Sequence, residues 1–260
     1  MSFVTWPPEG GLLEIGAGDL ENYERCPQQF SWTKARRQGT RTPSRALERT
    51  RAVTNTIALA HRTVDPPPPE LLRDLFKRAN QDFTPANPEE RDAILEVLDN
   101  YSEIAVDLGG EFIDVDDDFR KRKSKRRPVI VSSWEPLLFD HTELEETTIE
   151  SRRLSTSRYR GMASEAELHR EFRTHIRHLV VEAAFPKAVV RVCEVNIVDG
   201  THACVERGTE LLAESAESAF RLEALLREEV EFEPRLNYLC GTCQYMPACK
   251  AVPSMESPWG

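Results

Sequence analysis

The segment Cys240-Gly241-Thr242-Cys243-Gln244-Tyr245-Met246-Pro247-Ala248-Cys249 places three thiols within ten residues. Turn-forming residues separate these cysteines, and neither a helical nor a strand periodicity runs through them. Such a coil lets several sulfur atoms converge on one point. A fourth cysteine, Cys26, lies far upstream and is followed by Pro27. If all four thiols meet, the last segment of the chain is bound to the first.

Four thiolates bind either a tetrahedral zinc ion or an iron–sulfur cluster, because both prefer soft anionic sulfur ligands. Structural zinc sites usually use two close cysteine pairs, whereas here only Cys240 and Cys243 are close and Cys26 stands alone. This spacing favours a [4Fe–4S] cluster on Cys26, Cys240, Cys243 and Cys249. Zinc and a set of ordinary reduced thiols are the alternatives. A cluster here would be structural, because it would close a very long loop.

The composition allows a large core and limits the classes of partner. The chain has 260 residues, 40% of them hydrophobic, and a formal net charge of -10. This charge argues against a generally basic nucleic-acid-binding coat, but not against a local basic groove. No apolar run reaches the length of a membrane span and no secretory signal begins the chain, so we expect a cytoplasmic protein without a membrane partner. Cys193 and Cys204 lie in apolar, strand-like contexts, where we expect inert core thiols.

The hydrophobic periodicity predicts an α/β protein with helices first and strands later. Helices are predicted at 20–25 (with Asp19 as the cap), 44–64, 71–79, 88–108, 163–184 and 209–230. Strands are predicted at 111–115, 129–134, 136–140, 147–154, 188–198 and 201–205, the last two joined by a turn at Asp199-Gly200. The pattern indicates one domain over 1–260, in which a helical insertion (40–108) precedes an α/β core (109–230). Three histidines of the fifth helix, at 169, 175 and 178, are expected to be packed or exposed rather than ligands.

A dense basic run follows an acidic one in the middle of the chain. The acidic stretch ends at Asp118, and after Phe119 come seven cations in eight residues: Arg120, Lys121, Arg122, Lys123, Lys125, Arg126 and Arg127. Opposite charge blocks so close together are typical of a solvated hairpin tip or loop. The other interpretation is a finger that contacts nucleic-acid phosphates.

The stretch Asp19-Leu20-Glu21-Asn22-Tyr23-Glu24-Arg25-Cys26-Pro27-Gln28-Gln29-Phe30 resembles the opening motif of RecB-type nucleases of the PD-(D/E)XK superfamily. This group includes the AddB nuclease domain and CRISPR-associated exonucleases that carry an iron–sulfur cluster. Their C-terminal cysteine trio is similar to Cys240-x2-Cys243-x5-Cys249. The resemblance implies a restriction-endonuclease-like core, a mixed sheet flanked by helices, and a clasp formed by residues 19–30 and 231–260. It also implies a DNA partner, and a helicase or other subunit of a DNA-processing or defence complex.

The resemblance further implies a metal-dependent deoxyribonuclease of the exonuclease type. In this family a carboxylate pair and a helix histidine hold Mg²⁺ or Mn²⁺, which activates water and stabilises charge on the phosphate. The matching metal ligands are His61, Asp140 and Glu150. Asp140 ends one predicted strand and Glu150 lies on the next, so we expect a hairpin that presents both carboxylates to one site. Arg152 stands two residues after Glu150 and shares its strand face.

Several family landmarks are missing from the middle of the chain. Arg152 stands where the family has a lysine that positions the attacking water, and a guanidinium is not equivalent to an ammonium in that role. No glycine directly precedes Asp140, and the helix that follows lacks the family's Gln-x-x-x-Tyr. The sequence therefore supports a second hypothesis, a nuclease-fold subunit that has lost catalysis and binds DNA or scaffolds a complex. A zinc-stabilised interaction protein is a third.

Overall fold

The computed structural model describes residues 13–36, 45–79, 83–114, 119–122, 129–133, 137–141, 146–156, 163–229, 231–237, 240–243 and 245–251. The helices are α1 (Asp19–Arg25), α2 (Pro27–Arg36), α3 (Arg45–His61), α4 (Pro69–Ala79), α5 (Pro88–Leu108), α6 (Glu165–Arg170), α7 (Phe172–Ala184) and α8 (Leu212–Glu228). The strands are β1 (Leu13–Gly16), β2 (Glu111–Ile113), β3 (Phe119–Arg122), β4 (Val129–Ser133), β5 (Leu138–Asp140), β6 (Thr148–Ser155), β7 (Val189–Asn196) and β8 (His202–Arg207). Among the described helices, none has the length and apolar character to cross a membrane.

The described strands form two sheets. The larger is mixed, with the strand order β2-β5-β6-β7-β8, and only its β6–β7 pair is parallel. A parallel pair needs a crossover connection, and α6 and α7 provide it. The smaller sheet has the order β1-β4-β3, with β1 parallel to β4. The result is the α/β architecture that the sequence predicts, a five-stranded mixed sheet flanked by helices.

Each face of the five-stranded sheet is covered by its own hydrophobic core. One face packs against α7, α8 and the N-terminal segment, through buried residues such as Ile149, Val190 and Ile176. The opposite face packs against α3, α4 and α5, through residues such as Phe139 and Val195. Helices α3 to α5, which fall within the predicted insertion 40–108, therefore share a core with the sheet.

Helix α7 lies between the two sheets, since it contacts β3 and β4 as well as β6 and β7. Polar side chains on this helix are consequently buried together with the apolar ones: Thr174, His175, Arg177 and His178. The expectation that His175 and His178 are packed residues fits this position, whereas His169 on α6 is exposed.

Local capping explains where the helices begin, and it corrects two expectations. Helix α5 has the predicted bounds, with the side chain of Asn87 accepting a hydrogen bond from Glu90 N. The predicted helix 163–184 is in fact two helices, because Glu171 adopts an extended conformation with ψ 133°. Asp19 is not the cap of α1, since Gly18 occupies that position. The Asp19 carboxylate instead accepts from Gly16 N at 2.7 Å and pairs with Lys34.

The prediction that Cys193 and Cys204 are free core thiols is wrong. The two residues are directly opposite each other in the antiparallel β7–β8 pair, which joins through the predicted Asp199-Gly200 turn, and their sulfur atoms form a disulfide. Cys193 is fully buried, as its apolar context indicated. Single-strand periodicity could not reveal the bond, because it depends on the register between two strands.

The structure describes only the first part of the basic run. Arg120, Lys121 and Arg122 lie on β3, which pairs with β4 at the edge of the smaller sheet. This part of the run is therefore one strand of an antiparallel pair. Lys123, Lys125, Arg126 and Arg127 lie outside the described residues.

A fully buried arginine, Arg207, joins β8 to α6, α7 and α8. Its guanidinium donates to His169 Nδ1 at 2.6 Å, to Ser215 Oγ at 3.2 Å and to Glu214 Oε1 at 3.1 Å. Ser215 Oγ also lies 3.3 Å from His175 Nδ1. Burial, and then the positive charge of Arg207, lower the pKa of His175 to about 4.

We expect acid to destabilise this packing through His175. Because the folded-state pKa lies below the unfolded value near 6.5, the unfolded chain binds the proton more readily, and stability is lost as the pH falls from 6.5 towards 4. The loss between pH 7.5 and pH 5 should be about 2 kcal/mol. Urea unfolding of the wild type and of His175→Gln at both pH values measures it, with exposed His202→Gln as the control. An equal pH dependence in His175→Gln would contradict this assignment.

Candidate functional site

The four cysteines that the sequence groups together line one cavity. Cys26 follows α1, and Cys240, Cys243 and Cys249 lie in the turns near the C-terminus. Backbone amides donate to two of the sulfurs: Gln29 N to Cys26 Sγ at 3.4 Å, and Asn237 N to Cys240 Sγ at 3.2 Å. Amide hydrogen bonds of this kind stabilise thiolates that bind metal.

Contacts outside the cysteines also join the two ends of the chain. Arg235 Nη1 donates to the carbonyl of Glu24 at 2.8 Å, and Asn237 Nδ2 donates to the carbonyl of Arg25 at 3.3 Å. The ring of Tyr245 packs edge-on against Trp32, with centroids 5.3 Å apart. Residues near Cys26 and residues near the C-terminus are therefore in direct contact, and the cluster-bound clasp stays a prediction.

The donor set fits an iron–sulfur cluster in its chemistry, since such clusters are bound by cysteine thiolates. Four thiols line the cavity without being arranged as a metal-holding group, and the rest of the lining includes apolar residues such as Pro234, Leu236 and Met246. The open volume between them is about 20 Å³, which is room for about one water molecule.

The second candidate site lies on the face of the large sheet that packs against α3 and α5. Glu150 and Arg152 both lie on β6 and are buried, with 0% and 2% exposure. Arg152 Nε donates to Glu150 Oε1, and its Nη2 donates to the carbonyl of Gly109. The guanidinium carbon also lies 3.6 Å from the centre of the Phe139 ring, a cation–π contact. Arg152 is therefore held on three sides.

Asp140 does not join Glu150 on this face. In the β5–β6 register Phe139 is opposite Glu150, and Asp140 is opposite Ile149. Directly opposed residues of an antiparallel pair share a face, and neighbours along a strand alternate. Asp140 is therefore on the Ile149 side of the sheet, and the residue on β5 that shares the face of Glu150 is Phe139. The register therefore places the carboxylates of Asp140 and Glu150 on opposite faces of the sheet, and not at one site as the sequence predicts.

His61 lies near Arg152, but both of its ring nitrogens have partners. Nδ1 is 2.8 Å from Asp65 Oδ1, and Nε2 is 2.8 Å from the hydroxyl of Tyr101. Because a carboxylate only accepts, Nδ1 carries the proton, and the neutral ring accepts from Tyr101 through Nε2. Burial is the largest influence on His61 and lowers its pKa, which keeps the ring neutral. Burial likewise raises the pKa of Tyr101, so that its hydroxyl remains a donor.

The predicted metal ligands are thus not assembled as a set. In the part of the chain that the structure describes, no group of three or more His, Cys, Asp or Glu side chains is arranged to hold a metal ion. His61 is engaged with Tyr101 and Asp65, Asp140 lies on the other face, and Glu150 is paired with Arg152. The donor set that the resemblance implies for Mg²⁺ or Mn²⁺ does not fit this arrangement.

Two residues of the site were not predicted from the sequence. His141 Nε2 lies 3.1 Å from Glu150 Oε2, and Arg191 Nε lies 3.5 Å from the same oxygen. Arg191 is opposite Glu150 in the parallel β6–β7 register. A charge within the apolar run Val189-Val190-Arg191-Val192 was a signal that could have indicated Arg191. His141 could be found only from the register.

The fold has a likeness among solved structures. A protein from Eubacterium rectale named "Putative exonuclease" superposes with a TM-score of 0.51 at 12% identity, covering 94% of this chain and 93% of that chain. The structure of SSO0001 gives a TM-score of 0.42 at 10% identity, over 93% of this chain and 87% of that chain, a similarity too low to carry an argument. No protein-family model and no curated protein matches the chain. The first likeness shows a nuclease-like fold and no more.

Removing Arg152 should destabilise the protein strongly. Arg152→Ala leaves the buried carboxylate of Glu150 without its principal partner, and breaking a buried ion pair costs about 3–5 kcal/mol. Arg221→Ala is the matched control, since Arg221 is 63% exposed and pairs with Glu24 on the surface, where the cost should stay below about 1 kcal/mol. Denaturant unfolding measures both losses of unfolding free energy. Equal losses in the two variants would contradict a stabilising role of the buried Glu150–Arg152 pair.

Proposed function

We propose that this chain is a nucleic-acid-binding protein with a nuclease-like fold, in which binding is retained without metal-dependent cleavage. The observation that carries the proposal is the buried pair of Arg152 with Glu150. The resemblance of the sequence motifs to RecB-type nucleases and the likeness of the fold support the nucleic-acid partner.

The chemistry of the pair argues against hydrolysis of the usual kind. A lysine at position 152 would be a compact, rotatable donor able to position water, whereas the Arg152 guanidinium is committed to Glu150 and to the carbonyl of Gly109. Its positive charge also neutralises the carboxylate that would attract a divalent cation. Binding without cleavage is the function that this arrangement supports best.

The basic run is the proposed nucleic-acid contact. Three of its cations, at positions 120–122, lie on the edge strand β3, and those at 123, 125, 126 and 127 follow directly in the sequence. Because the whole chain carries a net charge of -10, attraction to phosphates must come from a local concentration of cations of this kind.

A metal-dependent exonuclease is the second candidate function, and one observation favours it. Glu150 Oε2 is buried and makes ion-pair contacts with His141 Nε2 and Arg191 Nε, but no hydrogen bond of good geometry among the described residues. An acidic oxygen in this state could accept a Mg²⁺ or Mn²⁺ ion, although Asp140 lies on the other face of the sheet and both ring nitrogens of His61 already have partners.

Binding and cleavage can be separated in one set of measurements. We expect wild-type protein to bind labelled single-stranded and duplex DNA. In Mg²⁺ or Mn²⁺ it should cleave no more of this DNA than a protein-free control does. Neutralising Arg120, Lys121 and Arg122 together should make the slope of log affinity against log salt less steep by about 2 to 3, since each lost phosphate contact removes about 0.7 to 0.9. A triple change of exposed arginines elsewhere (Arg78, Arg91 and Arg221) is the control.

The two candidate functions give different results. Cleavage in Mn²⁺ that disappears in Asp140→Ala together with Glu150→Ala would establish the nuclease and overturn the binding-only proposal. Absence of any DNA binding at low salt would overturn both. An unchanged salt dependence in the 120–122 variant would remove the basic strand from the interface while leaving binding intact.

We also propose that Cys26, Cys240, Cys243 and Cys249 hold a [4Fe–4S] cluster that ties the two ends of the chain together. Protein purified without oxygen should show the broad visible absorption of a cluster and contain about four irons per chain. Cys240→Ser should abolish the absorption and lower the thermal midpoint. Met246→Leu, which changes another residue of the same cavity, should do neither. One zinc per chain with no visible absorption would show a zinc site instead.

A further inference from the structure

The disulfide between Cys193 and Cys204 lies on the face of the large sheet that packs against α3, α4 and α5. Cys193 belongs to the core on that face and is fully buried, whereas Cys204 packs against the same core and is half-buried. The two residues are directly opposite each other in the β7–β8 pair, and β8 is an edge strand of the sheet. One end of the bond is therefore enclosed, and the other end lies at the boundary with solvent.

The neighbours of Cys204 on its own strand face leave the residue open to solvent. Residues two apart on a strand share a face, so His202 and Glu206 flank Cys204 on the side of α3 to α5. Both flanking residues are exposed. The helical cover of this face therefore ends before β8, and a small thiol can approach the sulfur of Cys204 along the strand.

Other contacts hold β8 in place without the bond. Backbone pairing joins β7 and β8 from Val190 with Arg207 to Val195 with His202. The buried Arg207 side chain also donates to groups on α6 and α8. The two cysteines are only 11 residues apart, and a short loop gains less stability from a cross-link than a long one. The fold therefore persists when the bond opens, and the bond can form again in register.

We propose that the Cys193–Cys204 bond is a reversible redox centre, which exchanges with a dithiol reductant through the sulfur of Cys204. The reductant comes from outside the chain, because the other four cysteines are free and line a different cavity. The exposure of Cys204 and the burial of Cys193 decide which sulfur is attacked, since exchange needs access to the sulfur that the thiolate strikes.

The exchange has two steps and transfers two electrons. A thiolate of the dithiol attacks Cys204 Sγ, a mixed disulfide forms, and the bond to Cys193 Sγ breaks. Cys193 leaves as a thiolate and takes up a proton. The second thiolate of the reductant then attacks its own sulfur in the mixed disulfide, which releases the Cys204 thiolate. The dithiol ends as a cyclic disulfide, and the protein ends with two thiols.

The bond fixes the register of two charges beside the candidate site. Arg191 and Glu206 are directly opposite each other, two residues away from the bonded cysteines on their strands and on the same face. Arg191 Nε is 3.9 Å from Glu206 Oε1 and 3.5 Å from Glu150 Oε2. Opening the bond therefore loosens the outer strand of this site without removing any of its residues.

The test uses the full-length protein without denaturant or nucleic acid. After treatment with dithiothreitol the thiols are alkylated and mapped by mass spectrometry. We expect Cys193 and Cys204 to be bonded before treatment and alkylated after it, and oxidised dithiothreitol should restore the bond. The thermal midpoint of the reduced protein should be lower by about 5–10 °C. Amide hydrogen exchange should become faster in β8 and stay unchanged in α4, which packs on α3 and α5.

The direction of attack has its own test. Cys193→Ser and Cys204→Ser each leave one thiol of the pair, and glutathione disulfide should modify Cys204 at least about tenfold faster than Cys193. If either variant fails to fold, the position of the mixed disulfide that wild-type protein forms with glutathione decides instead. Modification of Cys193 at an equal or higher rate, or a mixed disulfide on Cys193, would overturn the assignment of Cys204.

Two results would overturn the redox centre itself. One is a bond that dithiothreitol reduces only after denaturant has unfolded the chain, as expected of an inert structural cross-link. The other is protein purified in air in which both residues are free thiols. Because these measurements involve neither DNA nor the four cysteines of the cavity, their failure leaves the proposed functions standing, and the reverse also holds.

Discussion

The parallel pairing of β6 with β7 is the interaction on which the rest of the structure depends. It joins eight residue pairs, from Thr148 with Val189 to Ser155 with Asn196. Parallel strands are stable when both faces are covered, and here α7 covers one face while α3 to α5 cover the other. The same register places Arg191 beside Glu150, so the geometry of the candidate site is set by the backbone pairing of two strands distant in sequence.

Buried charge is the second constraint, and it accounts for what the site can do. Glu150 and Arg152 are both removed from water, and each is tolerated only because the other is present. A free carboxylate at this depth would attract a cation, whereas a carboxylate with an internal guanidinium has half of its capacity already used. The two oxygens of Glu150 consequently differ, one paired with Arg152 and the other directed towards His141.

Much of the fold follows from local sequence, and the site does not. Helix α5 could be placed from Pro88 and its acidic first turn, and β7 from its apolar run, because these signals act within a single element. The break between α6 and α7 at Glu171 has no proline or glycine that would predict it. The Cys193–Cys204 bond depends on the register between two strands. The site could not be predicted for the same reason. Asp140 and His141 are neighbours in sequence, and only the register between β5 and β6 decides which of them shares a face with Glu150. The four cysteines line one cavity, and the cluster that their spacing indicates stays a prediction.

The pairing of β1 with β4 has a consequence for how the chain is made. Residues 13–16 must wait for residues 129–132 before their strand has a partner, and Cys26 must wait for the last turns before the two ends meet. During synthesis β1 and Cys26 therefore remain without these native neighbours until residues 129–132 and 240–249 have been made. Contacts so distant in sequence slow folding, and they leave the early segment exposed to other surfaces in the meantime. We expect the order of assembly to run from the central sheet outwards, with the N-terminal strand and helices docking last.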